Sequence, residues 1–394
     1  MTHLRRLYAG HDPARAVSIA DLRAMAMARL PGFVAEYLEG GAEDERTLAA
    51  NRASFAARRF APRVLTGALP ASGITLFDQS VALPLVVAPT GFNGLYWPQG
   101  DVALARAAAG AGVPFTQSTV SNAAIEDVAT AGANHWFQLY AFRDRGASAA
   151  LLARARAAGA QVLVVTVDAQ LYGNREWNRR LYRGENTLRW RALLDGALHP
   201  GWMARVWRRG MPGFANLYPF LPAGQTGLLP SARWVKAAID PALDWSAVAW
   251  ARAHWDGPLV VKGIGHPDDA GRALAEGADG VVLSNHGGRQ LDGAVSALDL
   301  VAPVRDRLGG GFTLLVDGGV RRGVDIATAR ALGADAVLAG RAVLYGLAAA
   351  GQAGAARALA ILAEEYALAQ GLIAGGSLWP LQDNFRDPSV SLVK

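Results

Sequence analysis

The chain has 394 residues, 52% of them hydrophobic and 18% charged, with a mean hydropathy of +0.15, a composition that buries a sizeable core and excludes the disordered class. It contains no cysteine, which rules out disulfides, thiolate nucleophiles and cysteine-ligated metal or iron-sulfur centres and fits a reducing compartment. The formal net charge of +6 admits nucleic acid, anionic lipid or acidic small molecules as partners, and its placement has to decide among them.

The first residues, Met1 to Tyr8, are charged and lack the apolar run of a secretory leader behind them, and no uninterrupted apolar stretch is long enough to span a bilayer. A cytoplasmic protein is expected. Residues 18–65 read as an N-terminal helical segment, with two or three helices over Ser18 to Phe60 and an N-cap pair at Ser18 and Asp21. Beyond it, short Val/Ile/Leu-rich runs begin near Pro84, Val113, His135, Gln161, Pro258, Gly280, Thr313 and Asp335 and predict eight buried strands. Alanine-rich stretches with helical periodicity lie between them, among them Asp101 to Gly110, Arg145 to Gly159, Asp268 to Glu276 and Gly323 to Leu332. This alternation predicts an α/β fold, a (β/α)8 TIM barrel over 80–360, in preference to a doubly wound sheet. One crossover is out of scale. The gap between Gln161 and Pro258 predicts a long insertion after the fourth strand, 171–243, before a helix over Asp244 to Trp255 resumes the barrel. With no further repeat and no low-complexity linker, residues 1–394 read as a single domain.

The sixth predicted strand ends in the most informative run of the chain, Ser284-Asn285-His286-Gly287-Gly288-Arg289-Gln290-Leu291-Asp292. A histidine takes a proton near neutral pH, and an arginine three residues on can grip a carboxylate with two parallel hydrogen bonds. The pair suits an acid that bears a removable proton beside its carboxylate. In a barrel, catalytic groups stand at this end of the strands. Asp317-Gly318-Gly319-Val320-Arg321-Arg322-Gly323 follows the seventh strand and Ala339-Gly340-Arg341-Ala342 the eighth. Barrel proteins bind phosphate at these two loops through backbone N–H groups and a helix N-terminus, and Arg321 and Arg341 would add charge. Thr90, Ser118, Thr119, Gln138, Tyr140, Thr166, Asp168 and Lys262 end the first five strands on the same face, where hydroxyls and amides can hold the edge of a heterocycle. A flat, phosphate-tailed cofactor is the simplest ligand, and no metal is expected.

These residues resemble the signature of the FMN-dependent 2-hydroxy acid dehydrogenases and oxidases. The resemblance extends over nearly the whole chain, including Tyr37-Leu38-Glu39-Gly40-Gly41-Ala42-Glu43-Asp44-Glu45. Within that family, Ala88-Pro89-Thr90-Gly91-Phe92-Asn93-Gly94, Trp136-Phe137-Gln138-Leu139-Tyr140 and Leu194-Asp195-Gly196-Ala197-Leu198-His199-Pro200 look most like the branch that acts on (S)-mandelate. The resemblance implies that His286 is the base and Asp168 the carboxylate that stabilises its imidazolium form. It makes Arg175 and Arg289 the pair that binds the substrate carboxylate, and Tyr37 and Tyr140 the tyrosines that contact the substrate. Lys262 would stabilise negative charge on the flavin, Pro89, Thr90, Gly91, Ser118, Gln138, Thr166 and Ser284 would surround the ring, and Asp317, Gly319, Arg321, Gly340 and Arg341 would hold the ribityl and phosphate end. Many family oxidases carry alanine where Gly91 stands and a bulky aromatic where Val120 stands. Smaller residues there leave room for an aromatic side chain and point to an electron acceptor other than oxygen.

The insertion has a character of its own. From Trp177 to Arg209 it holds eight arginines (Arg179, Arg180, Arg183, Arg189, Arg191, Arg205, Arg208 and Arg209) against Glu185 and Asp195. Trp177, Trp190, Trp202 and Trp207 are interleaved with them, and the apolar stretch Phe214 to Leu221 follows. Arginine with interfacial tryptophan suits an anionic membrane surface, whereas no recognised motif supports a nucleic-acid partner. The expected function is oxidation of an (S)-2-hydroxy acid, mandelate-like in shape, with electrons passing from FMN to a quinone at the inner face of the cytoplasmic membrane; a homotetramer is expected by analogy with barrel relatives. The alternatives are an L-lactate-type dehydrogenase, an oxygen-using oxidase and, more remotely, a non-catalytic flavin-binding barrel.

Overall fold

The computed structural model describes residues 6–67, 72–181, 188–206, 208 and 212–379. Eight parallel strands close into a barrel: β1 (Leu85–Val87), β2 (Phe115–Ser118), β3 (His135–Tyr140), β4 (Val162–Thr166), β5 (Leu259–Ile264), β6 (Gly280–Leu283), β7 (Thr313–Val316) and β8 (Ala336–Ala339). Each pairs with its neighbour in sequence, and β8 returns to β1 with Val337 opposite Leu85. Every strand begins within two residues of the expected position. The reason is that barrel strands are covered on both faces, by the interior and by the helices, so they read as near-continuous apolar runs; all five residues of Val162–Thr166 are buried.

Helices alternate with the strands, at Gly100–Gly110, Arg145–Ala157, Ser246–His254, Pro267–Ala275 and Gly323–Ala331 among others. Ahead of the barrel stand the three helices Ile19–Met27, Gly32–Glu39 and Arg46–Ala57. The first of them is capped as expected: the Ser18 hydroxyl accepts the Asp21 N–H at 3.1 Å and donates to the Asp21 carboxylate at 2.9 Å. The helix Arg341–Ile373 is apolar and long enough to cross a membrane by composition alone. Most of its apolar stretch is buried inside the protein, and its backbone breaks at Ala350 and Gly351, so it is a core helix.

The insertion lies over the C-terminal mouth of the barrel. Its described part contains the helices Glu176–Arg180, Trp190–Ala197, Pro200–Arg205 and Leu228–Ala238 and a 3-10 turn over Ala215–Phe220. It differs from the expectation of an outward-facing membrane segment in one respect. Trp202, Phe214 and Leu217 are fully buried, because these side chains pack down onto the barrel loops, with the Trp202 indole N–H donating to the Leu95 carbonyl at 2.7 Å. Trp177 and Trp190 do face outward. Arg183, Glu185, Trp207 and Arg209 lie outside the described residues.

Candidate active site

β6 ends at Leu283, and the chain turns at once through three residues of left-handed backbone, His286 (φ 57°), Gly287 (φ 65°) and Gly288 (φ 76°). A histidine seldom adopts this conformation, and it persists only where its surroundings fix it. Here they do. The His286 N–H donates to the Ser284 hydroxyl at 3.0 Å, and the imidazole Nδ1 lies 3.0 and 3.2 Å from the two oxygens of Asp168, which follows β4. The Gln290 amide donates to the carbonyls of Asp168 and Leu171 and fastens the two loops together. Burial alone would raise the Asp168 carboxyl, but the imidazole and the Lys262 ammonium hold it below the ordinary carboxylate range. With Nδ1 committed to a carboxylate, the Nε2 atom is left to face the cavity.

A cavity of about 520 Å³ opens at this mouth. Its walls include Tyr37, Pro89, Thr90, Gly91, Ser118, Tyr140, Arg175, Lys262, His286, Arg289, Asp317, Gly319, Arg321, Gly340 and Arg341, which brings together most of the residues singled out in the sequence. Asp168, Gln138 and Ser284 do not line the cavity but are bonded to His286, Ser118 and Lys262, which do, and Thr166 stands opposite Lys262 in the strand register. Among the described lining residues Asp317 is the one carboxylate, and it is paired with Lys262 at 2.8 Å. Burial would lower the Lys262 ammonium, yet Asp317 and Asp168 keep it raised.

Among the described residues Arg175, Arg289 and Arg341 form no direct ion pair, although Glu36 acts on Arg289 and Glu39 on Arg341 at longer range. Arg289 donates from Nη1 to the carbonyls of Tyr37 (3.0 Å) and Gly40 (2.7 Å) and lies over the Tyr37 ring at 5.1 Å. Burial and the charge of Arg289 pull the neighbouring Arg175 down to about 10. Arg341 is similarly lowered, to about 9, by burial and by Arg289 and Arg321. Its side chain donates to the carbonyls of Leu38 (2.9 Å), Gly287 (2.9 Å) and Gly40 (3.0 Å), tying the N-terminal segment to the His286 loop. A cavity of this kind favours an anion.

The phosphate expectation is refined at one loop. After β7, the N–H groups that lead into the helix Gly323–Ala331 are already occupied: Asp325 accepts from Arg321 and Arg322 at 2.8 and 2.9 Å, and Glu365 accepts from Gly323, the first helical residue, at 2.9 Å. The helix Arg341–Ile373 has no such side-chain cap, and its N-cap residue Gly340 lines the cavity. Gly319 sits at φ 98°, and a Cβ there would lie 2.5 Å from the Asn51 carbonyl oxygen, so the position has no room for a side chain.

Comparison with known proteins agrees with this arrangement. Residues 26–383 match the model of the FMN-dependent dehydrogenases. The chain belongs to that family. It is 42% identical to an L-lactate dehydrogenase of Pectobacterium atrosepticum over 91% of this chain and 93% of that protein, and 43% identical to an L-lactate dehydrogenase of Caulobacter vibrioides over 90% and 93%. Among solved structures, a monotopic membrane (S)-mandelate dehydrogenase superposes with a TM-score of 0.86 at 40% identity, covering 91% of this chain and 96% of that one.

FMN is therefore the cofactor, and two buried groups of this dehydrogenase fit it. Gln138 uses its side-chain oxygen to accept from Ser118 at 2.9 Å, and its buried Nε2 has no acceptor among the described residues. Asp317 uses Oδ2 on Lys262, and its buried Oδ1 has no donor among the described residues. Buried polar atoms without partners are rare; an acceptor on the edge of a ring would satisfy the first and a ribityl hydroxyl the second. Sequence reasoning missed Phe92, Tyr96, Tyr172, Phe214 and Val235, which also line the cavity. The apolar run Phe214 to Leu221 was a visible signal for one of them, but its hydrophobicity alone does not say which way it faces.

Proposed function

We propose that this FMN-dependent dehydrogenase oxidises an (S)-2-hydroxy acid of mandelate-like shape to the 2-oxo acid and passes the electrons to a membrane quinone. The observation that carries the reading is His286, held by Asp168 and facing a cavity that also presents Arg175 and Arg289. FMN, when bound, accepts the two electrons. His286 takes the substrate proton at Nε2, and Asp168 stabilises the imidazolium that results. Arg289 and Arg175 hold the substrate carboxylate, and Tyr37 and Tyr140 orient the rest of the molecule. Thr90, Ser118, Gln138, Thr166 and Lys262 hold the ring, with Pro89, Gly91 and Ser284 beside it, while Asp317, Gly319, Arg321, Gly340 and Arg341 serve the ribityl and phosphate end.

L-lactate is the second reading, favoured by the curated relatives. An anaerobic absorbance spectrum before and after each acid separates the two: the mandelate reading expects bleaching by (S)-mandelate at lower concentration than by L-lactate, and the reverse order overturns it.

The membrane-surface assignment is narrowed to the helix Trp190–Ala197 and its surroundings. Trp190 and Leu198 are 64% and 78% exposed, Leu193 and Leu194 also face outward, and Arg189 and Arg191 flank them. A homotetramer completes the proposal, to be checked by light scattering.

A further inference from the structure

A buried polar cluster outside the groups described so far joins three distant segments at the mouth of the barrel. Asp101, fully buried, accepts the Asn93 side-chain N–H at 2.7 Å and the Asn122 backbone N–H at 3.0 Å. Asn93, also buried, accepts the Thr90 hydroxyl at 3.0 Å and donates to the Thr90 carbonyl at 3.1 Å. The Asn122 side chain closes the circuit. Its Oδ1 accepts the Gly94 N–H at 2.8 Å, and its Nδ2 donates to the carbonyls of Pro212 (3.1 Å) and Gly213 (2.9 Å). One amide thus binds the loop after β1 with one atom and the insertion with the other.

The next residue is Phe214. It lines the cavity and stands edge-on to Phe92 at 4.7 Å, and Phe92 stands edge-on to Tyr37 at 4.9 Å. The three rings form a continuous apolar wall drawn from three parts of the chain, the N-terminal helices, the loop after β1 and the insertion. Aromatic contacts of this kind fix where the rings meet but not how far the insertion stands off the barrel; of the hydrogen bonds that hold it down, those of Asn216 with the Ile125 N–H and of Trp202 with the Leu95 carbonyl among them, the ones from Asn122 reach the two residues directly before Phe214.

We propose that Asn122 is a positioning residue for the substrate's side chain, holding Pro212 to Phe214 down on the loop after β1 so that Phe214 and Phe92 form the wall against which that side chain packs. The proposal rests on the reading of this cavity as a 2-hydroxy acid site. Asn122 touches neither the substrate carboxylate ligands nor His286, so its effect falls on acids with a large side chain and passes through Phe214.

A double-mutant cycle on the FMN-loaded enzyme tests this, with Asn122→Ala, Phe214→Leu and the double variant assayed on (S)-mandelate and L-lactate with an artificial dye acceptor. Asn122→Ala is expected to raise KM for (S)-mandelate about tenfold, with a several-fold smaller effect on L-lactate and on kcat, the size expected of a misplaced apolar wall. The double variant should be no worse on (S)-mandelate than Phe214→Leu alone, because the two residues act through one contact. Equal losses on both acids, or losses that multiply in the double variant, overturn the proposal. Hydrogen exchange of the segment 212–220 gives a readout independent of turnover. Exchange there should speed up in Asn122→Ala while the barrel strands stay protected, and unchanged exchange overturns the proposal even if neither acid reduces the wild-type flavin, an outcome that would separately defeat the substrate reading.

Discussion

At the scale of single residues, His286 and Asp168 form a unit whose parts have separable effects. Replacing Asp168 with Asn keeps the shape but removes the charge that, in the proposed mechanism, stabilises the imidazolium. Asp168→Asn should slow flavin reduction by about 100-fold or more, the usual worth of a positioned base, while FMN stays bound. Equal rates in variant and wild type would remove the carboxylate from its role. Gly91 and Val120 make a second such unit: a Cβ at 91 would lie 2.6 Å from a Val120 methyl. Gly91→Ala should therefore lower turnover, and adding Val120→Ala should restore part of it; additive losses would show that the contact is not the cause.

Two buried groups titrate in opposite senses. Burial pushes the His135 imidazole down to about 4 from 6.5, so between those values the unfolded chain holds a proton that the folded chain does not. That contribution to stability is complete above pH 6.5 and is lost as the pH falls through the window. Burial pushes the Asp101 carboxyl up to about 6 from 3.8, so there the folded chain binds the proton first, and stability is gained as the pH falls. Each effect is on the order of 3 kcal/mol, and they oppose each other. His135→Gln, relative to wild type, should gain stability to urea on going from pH 7 to pH 5. A shift no more favourable than that of wild type would contradict the assignment.

At the scale of elements, the barrel was legible because its strands are buried on both faces and its helices are rich in alanine, two local signals that tertiary context reinforces. The loops after β6 and β8 were legible because His286, Arg289 and Gly340 are residue types suited to proton transfer, carboxylate binding and close backbone approach, and all three line the cavity. Other features were not. That the Gly323–Ala331 helix start is filled by Asp325 and Glu365 depends on a carboxylate 42 residues away in sequence, which no local pattern shows. The insertion divides in the same way: Trp202 and Trp190 look alike in the sequence, yet one packs onto the Leu95 carbonyl and the other faces solvent. The outward group carries the membrane prediction. Replacing Leu193 and Leu194 with serine should shift the enzyme from the membrane fraction to the soluble fraction with little change in turnover, and undiminished membrane association would contradict this use of the helix.

At the scale of the whole molecule, the N-terminal helices, the barrel and the insertion each supply one wall of a single cationic cavity. Arg341 and Arg289 draw Leu38 to Gly40 toward the His286 loop, Asn122 draws the insertion onto the loop after β1, and the barrel end presents the proposed flavin-binding residues between them. The charges of Arg175 and Arg289 stand close together with no direct ion pair among the described residues, so an anion that bridges them should stabilise the fold by mass action. Saturating oxalate should raise the melting temperature of the FMN-loaded enzyme, and Arg289→Ala should remove most of that rise.

The central claim is that His286 removes the substrate proton in a cavity built for a 2-hydroxy acid. Anaerobic stopped-flow reduction of the FMN-loaded wild type and of FMN-loaded His286→Ala, each mixed with (S)-mandelate and with L-lactate, tests it most directly. Rapid bleaching of the wild-type flavin by at least one of the acids is expected, with a rate at least about 100-fold lower in the variant and flavin still bound. Bleaching of the variant at the wild-type rate would contradict it.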